Sequence, residues 1–455
     1  MLFERFEAKG LAHYSYLIGD GDHAVVIDPQ RDCEAYVEAA RLEGLAITHI
    51  LETHRNEDYV VGSVELASRT GATVLHSAHD DLPYAYGGRI AEGEALKIGR
   101  LLLEPLHTPG HTLGHVSYLL RDATGAPWVL FSGDALFAGD VGRTDFYGPD
   151  KLEEMTGLLY DSLFGKLLPL GDGVLLCPAH GSGSACGTGI AERPWTSLGL
   201  ERQHNPRLHV ADKAEFVRLT ARTLEYPPYF RRMEELNLRG APLLSSVPLP
   251  RPLSASDLAT RARDAVVLDT RPETAFGAAH VPDAISIWEE GLPGWAGWFL
   301  PYDKPILWVG ENNEVAPIAR LLCRLGYDRL EGFLAGGMTS WHKAGLPTEG
   351  YLTLNARQLC ERLAGWQELW ILDVRNEAEV AQQDVPGTHH IPLSHLPQRM
   401  DELPHDRPIY LLCGSGVRST TAASLLQRAG YADVIVILGG LAGWNAAGCP
   451  VRTGI

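Results

Sequence analysis

Four short segments carry side chains able to bind a metal: "THRNEDYVVG" from Thr53, "TPGHTLGH" from Thr108, "FSGDALFAGD" from Phe131 and "PAHGSG" from Pro178. Each ends a stretch that reads as a β-strand, so the donors would gather in loops at strand ends, where α/β proteins place their ligands. A lone His-x-x-x-Asp would mean little, whereas four such segments in one region are specific. Far downstream, "PIYLL" ends in Cys413-Gly414-Ser415-Gly416-Val417-Arg418-Ser419, and the helical pattern "TTAASLLQRAG" follows. Successive backbone N–H groups of a Gly-containing loop at a helix N-terminus, with Arg418 beside them, favour a thiolate and an anionic sulfur donor.

The elements that must position these groups alternate. From about residue 11 the order is strand, "GDGD" turn, strand "AVVIDP", a helix near residues 34–43 and the strand "ITHILETH", and short strands and helices continue to "VLLCPAH". Residues 211–237 read as a helix broken at Pro227–Pro228 and resumed, after which "SSVPLPRPLSAS" is a linker that puts a boundary near residue 250. Beyond it the chain repeats itself. "VVLDTRPETAF" answers "WILDVRNEAEV", and Asp269, Arg271, Val281–Pro282 and Gly326–Tyr327 match Asp373, Arg375, Val385–Pro386 and Gly430–Tyr431 at one constant offset. "GGMTSWHKAG" matches "GGLAGWNAAG" one residue out of step. Two copies of one domain, each about a hundred residues, follow the linker. In each, a strand with Asp-x-Arg leads into a helix and a second strand leads into another, the alternation of a parallel sheet.

The four N-terminal segments resemble those of the metallo-β-lactamase superfamily, over roughly residues 10–240. That superfamily's first motif is usually Thr-His-x-His-x-Asp-His, which supplies two metals, and here it is Thr53, His54, Arg55, Asn56, Glu57, Asp58, Tyr59. Asn56 and Tyr59 are poor zinc ligands, so a dinuclear hydrolytic centre lacks donors for both metals. His54, His111 and Asp134 remain, two imidazoles and a carboxylate, a set that suits one Fe(II) with open positions. Gly142-Arg143-Thr144-Asp145-Phe146 looks like the segment of persulfide dioxygenases in which an Arg holds the anionic substrate. Arg143 is the candidate for that role, with a loop-pinning salt bridge to Asp145 or Asp140 as the alternative. His180 and Asp58 stand at second-metal positions and read as hydrogen-bonding groups that orient the ligands. His107 and His115 read as loop caps or solvent-facing residues.

The Cys413 loop resembles the active loop of rhodaneses and related sulfurtransferases. The resemblance makes Cys413 a persulfide-carrying nucleophile with Arg418 beside it, and Gly414, Ser415, Gly416, Val417 and Ser419 the cradle for a substrate such as thiosulfate. A Cys-loop phosphatase is the alternative, disfavoured by the Cys-to-Arg interval. In the first copy, "PILWV" runs into Gly310-Glu311-Asn312-Asn313-Glu314, so Gly310 stands where the cysteine belongs and two acids occupy the anion site. That copy is expected to be silent, serving structure or docking.

The whole chain therefore resembles fusions of a persulfide dioxygenase to sulfurtransferase domains. The expected fold class is α/β, an αββα metallo-β-lactamase sandwich (1–250) followed by two rhodanese-like parallel-sheet domains, the silent copy (251–350) and the working copy (351–455). The implied activity is oxidation of a low-molecular-weight persulfide to sulfite, coupled to sulfane-sulfur transfer, with one Fe(II) per chain and zinc as the alternative metal. Two rivals stand beside it: a zinc-dependent thioester hydrolase of the glyoxalase II type, and a metal-free scaffold that delivers partners to one sulfurtransferase. At 455 residues, several cores are expected. With 57 acidic against 39 basic side chains, a net charge of −18, and no basic run, nucleic acid is disfavoured. The expected partners are small molecules (persulfide, thiosulfate, sulfite, O2), with a homo-oligomer as one option for assembly. The charged N-terminal stretch and the lack of a membrane-length apolar run give a cytoplasmic expectation with no membrane partner. Seven scattered cysteines (Cys33, Cys177, Cys186, Cys323, Cys360, Cys413, Cys449) suggest reduced thiols.

Overall fold

The computed structural model describes residues 1–184, 186–187, 189–364 and 369–453. The chain divides into two compact units, Met1–Val247 with Arg320–Asp328, and Pro248–Ala319 with Arg329–Ile455. Both sequence copies lie in the second unit, except that Arg320–Asp328 of the first copy groups with the first unit.

In the first unit the strands form two six-stranded sheets. One runs in chain order from Leu2–Ala8 through His13–Asp20, His23–Ile27, Ala46–Leu51 and Thr73–Ser77 to Gly88–Ile90. The other is ordered Thr196–Ser197, Leu175–Pro178, Pro127–Gly133, Val116–Arg121, Leu101–His107, Leu96–Ile98. Alternate side chains of each strand point inward. Ile18, Val25 and Leu51 of the first sheet accordingly meet Leu103, Tyr118 and Phe131 of the second in one buried cluster. Outside the first sheet, Tyr36 and Ala40 of the helix Glu34–Leu42 and Leu66 of Ser63–Thr70 cover Leu17, Val26 and Ile50. Outside the second, Leu159 of Leu152–Ser162 and Phe216 of Lys213–Thr220 cover Leu130 and Leu176. The result is the expected αββα sandwich.

The broken helix of 211–237 differs from expectation. It ends at Thr220 and resumes only at Phe230. The intervening backbone finds other partners. The Leu224 N–H donates to Asp145 at 2.7 Å, and the Leu224 and Glu225 carbonyls accept from Arg143 at 3.3 and 3.2 Å. Those polar groups need no helix to be satisfied.

The second unit holds two five-stranded sheets of the same topology, all neighbours parallel: Arg251–Leu253, Leu330–Leu334, Ile306–Val309, Val266–Asp269, Ile285–Ser286, and Leu352–Asn355, Val434–Leu438, Ile409–Leu412, Trp370–Asp373, Thr388–His390. The matching Asp-x-Arg pairs do the same work in each copy. Arg271 grips Asp269 and Arg375 grips Asp373, both pairs buried at the ends of Val266–Asp269 and Trp370–Asp373. One expectation is overturned here. Cys360 and Cys449 are joined by a disulfide, so reduced thiols do not describe this pair. They lie 89 residues apart in sequence, and the packing of Ala356–Ala364 on the Trp444 core brings them together. Among the described residues no helix is long and apolar enough to cross a membrane.

Candidate metal centre and cysteine loop

The three donors selected from the first unit's sequence converge. His54 follows the strand Ala46–Leu51, His111 sits between Leu101–His107 and Val116–Arg121, and Asp134 directly follows Pro127–Gly133. All three are buried, and their ligand atoms lie within 4.8 Å of one another. Hydrogen bonds on the far side of each imidazole fix its orientation. The Thr53 hydroxyl donates to Asp28 at 2.7 Å, which leaves its lone pair to accept from His54 Nδ1 at 2.9 Å. The His111 Nδ1–H donates to the Arg143 carbonyl at 2.9 Å. In the neutral rings both Nε2 atoms would therefore carry lone pairs toward Asp134, the arrangement that metal-ligating histidines require. Burial lowers the His54 pKa well below the ordinary imidazole range. Burial acts the same way on His111, but Glu57 and Asp134 reverse it and hold that imidazole above the range.

The carboxylate is anchored as carefully. His180 Nδ1 donates to Asp134 Oδ1 at 2.7 Å, and the Asp134 N–H donates to His115 Nε2 at 3.0 Å. His115 thus takes the capping option and not the solvent-facing one, since it is fully buried and burial pushes its pKa down to about 3. His107 caps its loop through the Leu113 carbonyl at 2.8 Å. Gly142 is needed for the approach of the next segment, because a Cβ there would lie 1.8 Å from the Asp134 carbonyl oxygen.

Asn56 and Tyr59 stand at the positions where the superfamily motif has histidines. Asn56 donates to the His54 carbonyl at 3.3 Å, and Tyr59 lies against His13 with ring centroids 3.9 Å apart. Asp58 and His180 form a second buried group with Cys186, a residue that sequence reasoning passed over. Arg143 takes the pinning role. Its guanidinium is bidentate to Asp145 at 2.7 and 2.8 Å and also reaches the Leu224 and Glu225 carbonyls, so it fixes this loop, a role that can coexist with the expected one toward an anionic substrate. Sequence reasoning also missed Glu57, which is buried at the same centre. The only local signal was a carboxylate three residues after His54.

In the second unit Cys413 is buried at the end of Ile409–Leu412, and its Sγ accepts the Gly416 N–H at 3.1 Å. Gly416 precedes the helix Val417–Arg428, whose N-terminus thereby faces the sulfur. A second segment clamps the loop from behind: Leu441 N–H donates to the Cys413 carbonyl at 2.7 Å and Ala442 N–H to that of Gly414 at 3.0 Å. Only glycine fits at 440, where φ is +48° and a Cβ would lie 2.3 Å from the Cys413 carbonyl oxygen. Gly414, Ser415 and Val417 line the partly open side, while Ser419 is buried in the helix. Arg418 is bidentate to Glu379 at 2.6 Å on both arms, a partner not foreseen. In the first copy a Cβ at Gly310 would lie 2.2 Å from the Trp308 indole, which fills the space a cysteine side chain would need.

The metallo-β-lactamase superfamily model matches residues 8–180, and the rhodanese-like domain model matches residues 254–344 and again 355–447. Mouse mitochondrial persulfide dioxygenase ETHE1 is 32% identical over 231 residues, spanning 48% of this chain and 80% of that protein. The chain belongs to the metallo-β-lactamase superfamily. To that domain it joins two rhodanese-like domains, the fusion architecture expected. A solved metallo-β-lactamase structure from Staphylococcus aureus aligns over 73% of this chain and 98% of its own length, at 30% identity with a TM-score of 0.66. The superfamily domain is also similar to hydroxyacylglutathione hydrolase GloC of Haemophilus influenzae, 29% identical over 43% of this chain and 92% of that protein. The curated relatives of the superfamily domain are enzymes, and that domain brings a metal site built from His and Asp.

Proposed function

We propose that the first unit oxidises a low-molecular-weight persulfide to sulfite at the centre formed by His54, His111 and Asp134, and that Cys413 moves sulfane sulfur in the second unit. The observation that carries this is the convergence of two oriented imidazole nitrogens and one carboxylate within 4.8 Å, with Asn56 and Tyr59 in place of the further histidines of the superfamily motif. That donor set suits one Fe(II) per chain. The buried Asp134 Oδ2 and His111 Nε2 have no hydrogen-bond partner, as atoms reserved for an ion would not. Bound there, iron would supply the activation of dioxygen. The overall reaction balances as one persulfide, one O2 and one water giving one thiol and sulfurous acid, which ionises to sulfite. Glutathione persulfide is the substrate to try first, and similarity to the mouse persulfide dioxygenase supports the class.

Transfer needs only this chain's residues. The Cys413 thiolate attacks the outer sulfur of thiosulfate, a Cys413 S–S bond forms, and sulfite leaves with the electron pair of the broken S–S bond. The Gly416 N–H and the helix end stabilise the anionic sulfur. An acceptor thiol or sulfite then removes the outer sulfur and restores the thiolate.

Anaerobic metal quantitation followed by oxygen uptake with glutathione persulfide tests the first half. About one iron per chain and stoichiometric oxygen consumption are expected. Similarity to the Haemophilus hydrolase favours a second reading, thioester hydrolysis, and two zinc ions per chain with hydrolysis and no oxygen uptake would establish it instead.

A further inference from the structure

The disulfide Cys360–Cys449 belongs to the working copy alone. In the silent copy, Ala259 follows the buried Leu258 as Cys360 follows the buried Leu359, and Leu346 precedes Pro347 as Cys449 precedes Pro450. The tryptophans fix the match, because Trp341 Nε1 donates to the Pro347 carbonyl and Trp444 Nε1 to that of Pro450, both at 2.9 Å. Ala259 and Leu346 pack on the Trp341 core where the two cysteines pack on the Trp444 core. An apolar pair therefore suffices for this fold, and the disulfide is an addition to the copy that carries a loop cysteine.

Its position gives it a hold on that cysteine. Cys449 lies just beyond the helix Gly440–Ala446, and its N–H donates to the Trp444 carbonyl at 3.2 Å. Leu441 and Ala442, at the other end of the same helix, supply the N–H groups that clamp the Cys413 and Gly414 carbonyls. Between them, a Cβ on Gly443 would lie 3.4 Å from the Ala356 Cβ, so this helix packs closely on Ala356–Ala364, which carries Cys360. The disulfide locks that packing covalently. A helix that shifts takes both clamping N–H groups with it.

The bond is open to attack from one side. Cys449 is buried, whereas Cys360 is only half-buried, and thiol–disulfide exchange depends on access to the sulfur attacked. We propose that Cys360–Cys449 is a thiol–disulfide exchange site through which a low-molecular-weight thiol controls the Cys413 loop. The thiolate attacks Cys360 Sγ, and the electron pair of the broken S–S bond leaves on Cys449, which takes up a proton. A second thiol attacks the mixed disulfide and releases Cys360 as a thiol. Two small thiols are thereby oxidised to one disulfide while the protein disulfide is reduced to two thiols. With the bond open, only packing holds the two helices, the clamp opens more often and transfer slows. That last consequence rests on the reading of Cys413 as the sulfur carrier.

The test equilibrates the full chain in glutathione buffers of graded thiol-to-disulfide ratio, and acid quenching, alkylation and mass spectrometry then give the fraction of the pair reduced. Two readouts are compared with that fraction: hydrogen exchange of the peptide containing the Leu441 and Ala442 N–H groups, and, after desalting, thiocyanate formed from thiosulfate and cyanide. Reduction should speed the exchange ~10-fold and slow transfer by a similar factor, within the ~100-fold that a displacement of about 1 Å at reacting groups costs. The double variant Cys360→Ala, Cys449→Leu takes the silent copy's own pair, should fold by circular dichroism, and should show neither response to the buffer ratio. A pair that stays oxidised in millimolar glutathione overturns the proposal, as does exchange or transfer that is indifferent to the reduced fraction. A double variant that still responds also overturns it, because the sensor is then another cysteine. An oxidised wild type that transfers no sulfur is a different failure, that of the Cys413 assignment, and the exchange readout still decides the tether.

Discussion

His180 Nδ1 lies 2.7 Å from Oδ1 of Asp134, and its Nε2 meets Asp58 at 2.9 Å. Burial alone would lower the His180 pKa, but Asp134 and Asp58 raise it well above the ordinary range. The ring braces Asp134 through Oδ1 and leaves Oδ2 without a hydrogen-bond partner, available to the proposed metal.

A brace and a ligand fail differently. His111→Ala should abolish oxygen uptake and metal retention, while His180→Ala should weaken both only ~10–100-fold. Metal-to-protein ratios and oxygen-electrode rates measure this, and equal loss in the two variants would make His180 itself a ligand.

Asp28 supplies a pH signature in the metal-free protein. Burial pushes its carboxyl up to about 7, against the opposing hydrogen bonds from Thr53. An unfolded Asp ionises near about 3.9, so between that value and about 7 the folded state holds a proton that the unfolded state has lost. Stability should therefore fall as pH rises through this window, by up to about 4 kcal/mol from this group, and level off above it. Asn tolerates the positive φ of 47° at this position, so Asp28→Asn should fold and lose that slope. Urea midpoints of chelator-treated protein at pH 5 and pH 8 compare the two, and parallel pH profiles would remove Asp28 from the account.

The two chemistries should separate at Cys413. Cys413→Ser replaces the sulfur carrier with a hydroxyl that forms no persulfide, so thiosulfate sulfurtransferase activity should vanish. Oxygen uptake with glutathione persulfide should continue near the wild-type rate, with sulfite as the accumulating product. Retained transfer would refute the assignment of the working copy, and lost oxygen uptake would show that the two sites are obligatorily coupled.

Arg418 is held by Glu379, and a dianionic substrate must compete for it. Glu379→Gln should lower the KM for thiosulfate, by no more than ~5-fold because a part-exposed pair is worth at most about 1 kcal/mol. Arg418 depresses the Glu379 carboxyl below its ordinary value. The pair's small stabilisation is thus present above the unfolded carboxylate range near about 4.3 and lost as pH falls through the lower folded value, and the variant should lack that acid-limb loss. A raised KM would mean that Glu379 positions Arg418 for substrate.

His54, His111, Asp134 and the Cys413 loop were legible in the sequence because each sits in a short segment at a strand end, where strand, turn and helix patterns are local and a few residues fix the geometry. The repeat was legible because two copies of one fold keep the same spacing of Asp-x-Arg, Gly-Tyr and Trp. Tertiary structure alone decided the rest. It set Glu57 beside the imidazoles and committed Arg143 to Asp145 and to carbonyls some eighty residues on. It filled the place of a first-copy cysteine with Trp308, and it joined Cys360 to Cys449. These depend on which side chains meet when the sheets pack and distant loops fold over their edges. A buried charge or an indole in a vacant space answers to neighbours remote in sequence, and no local pattern records them.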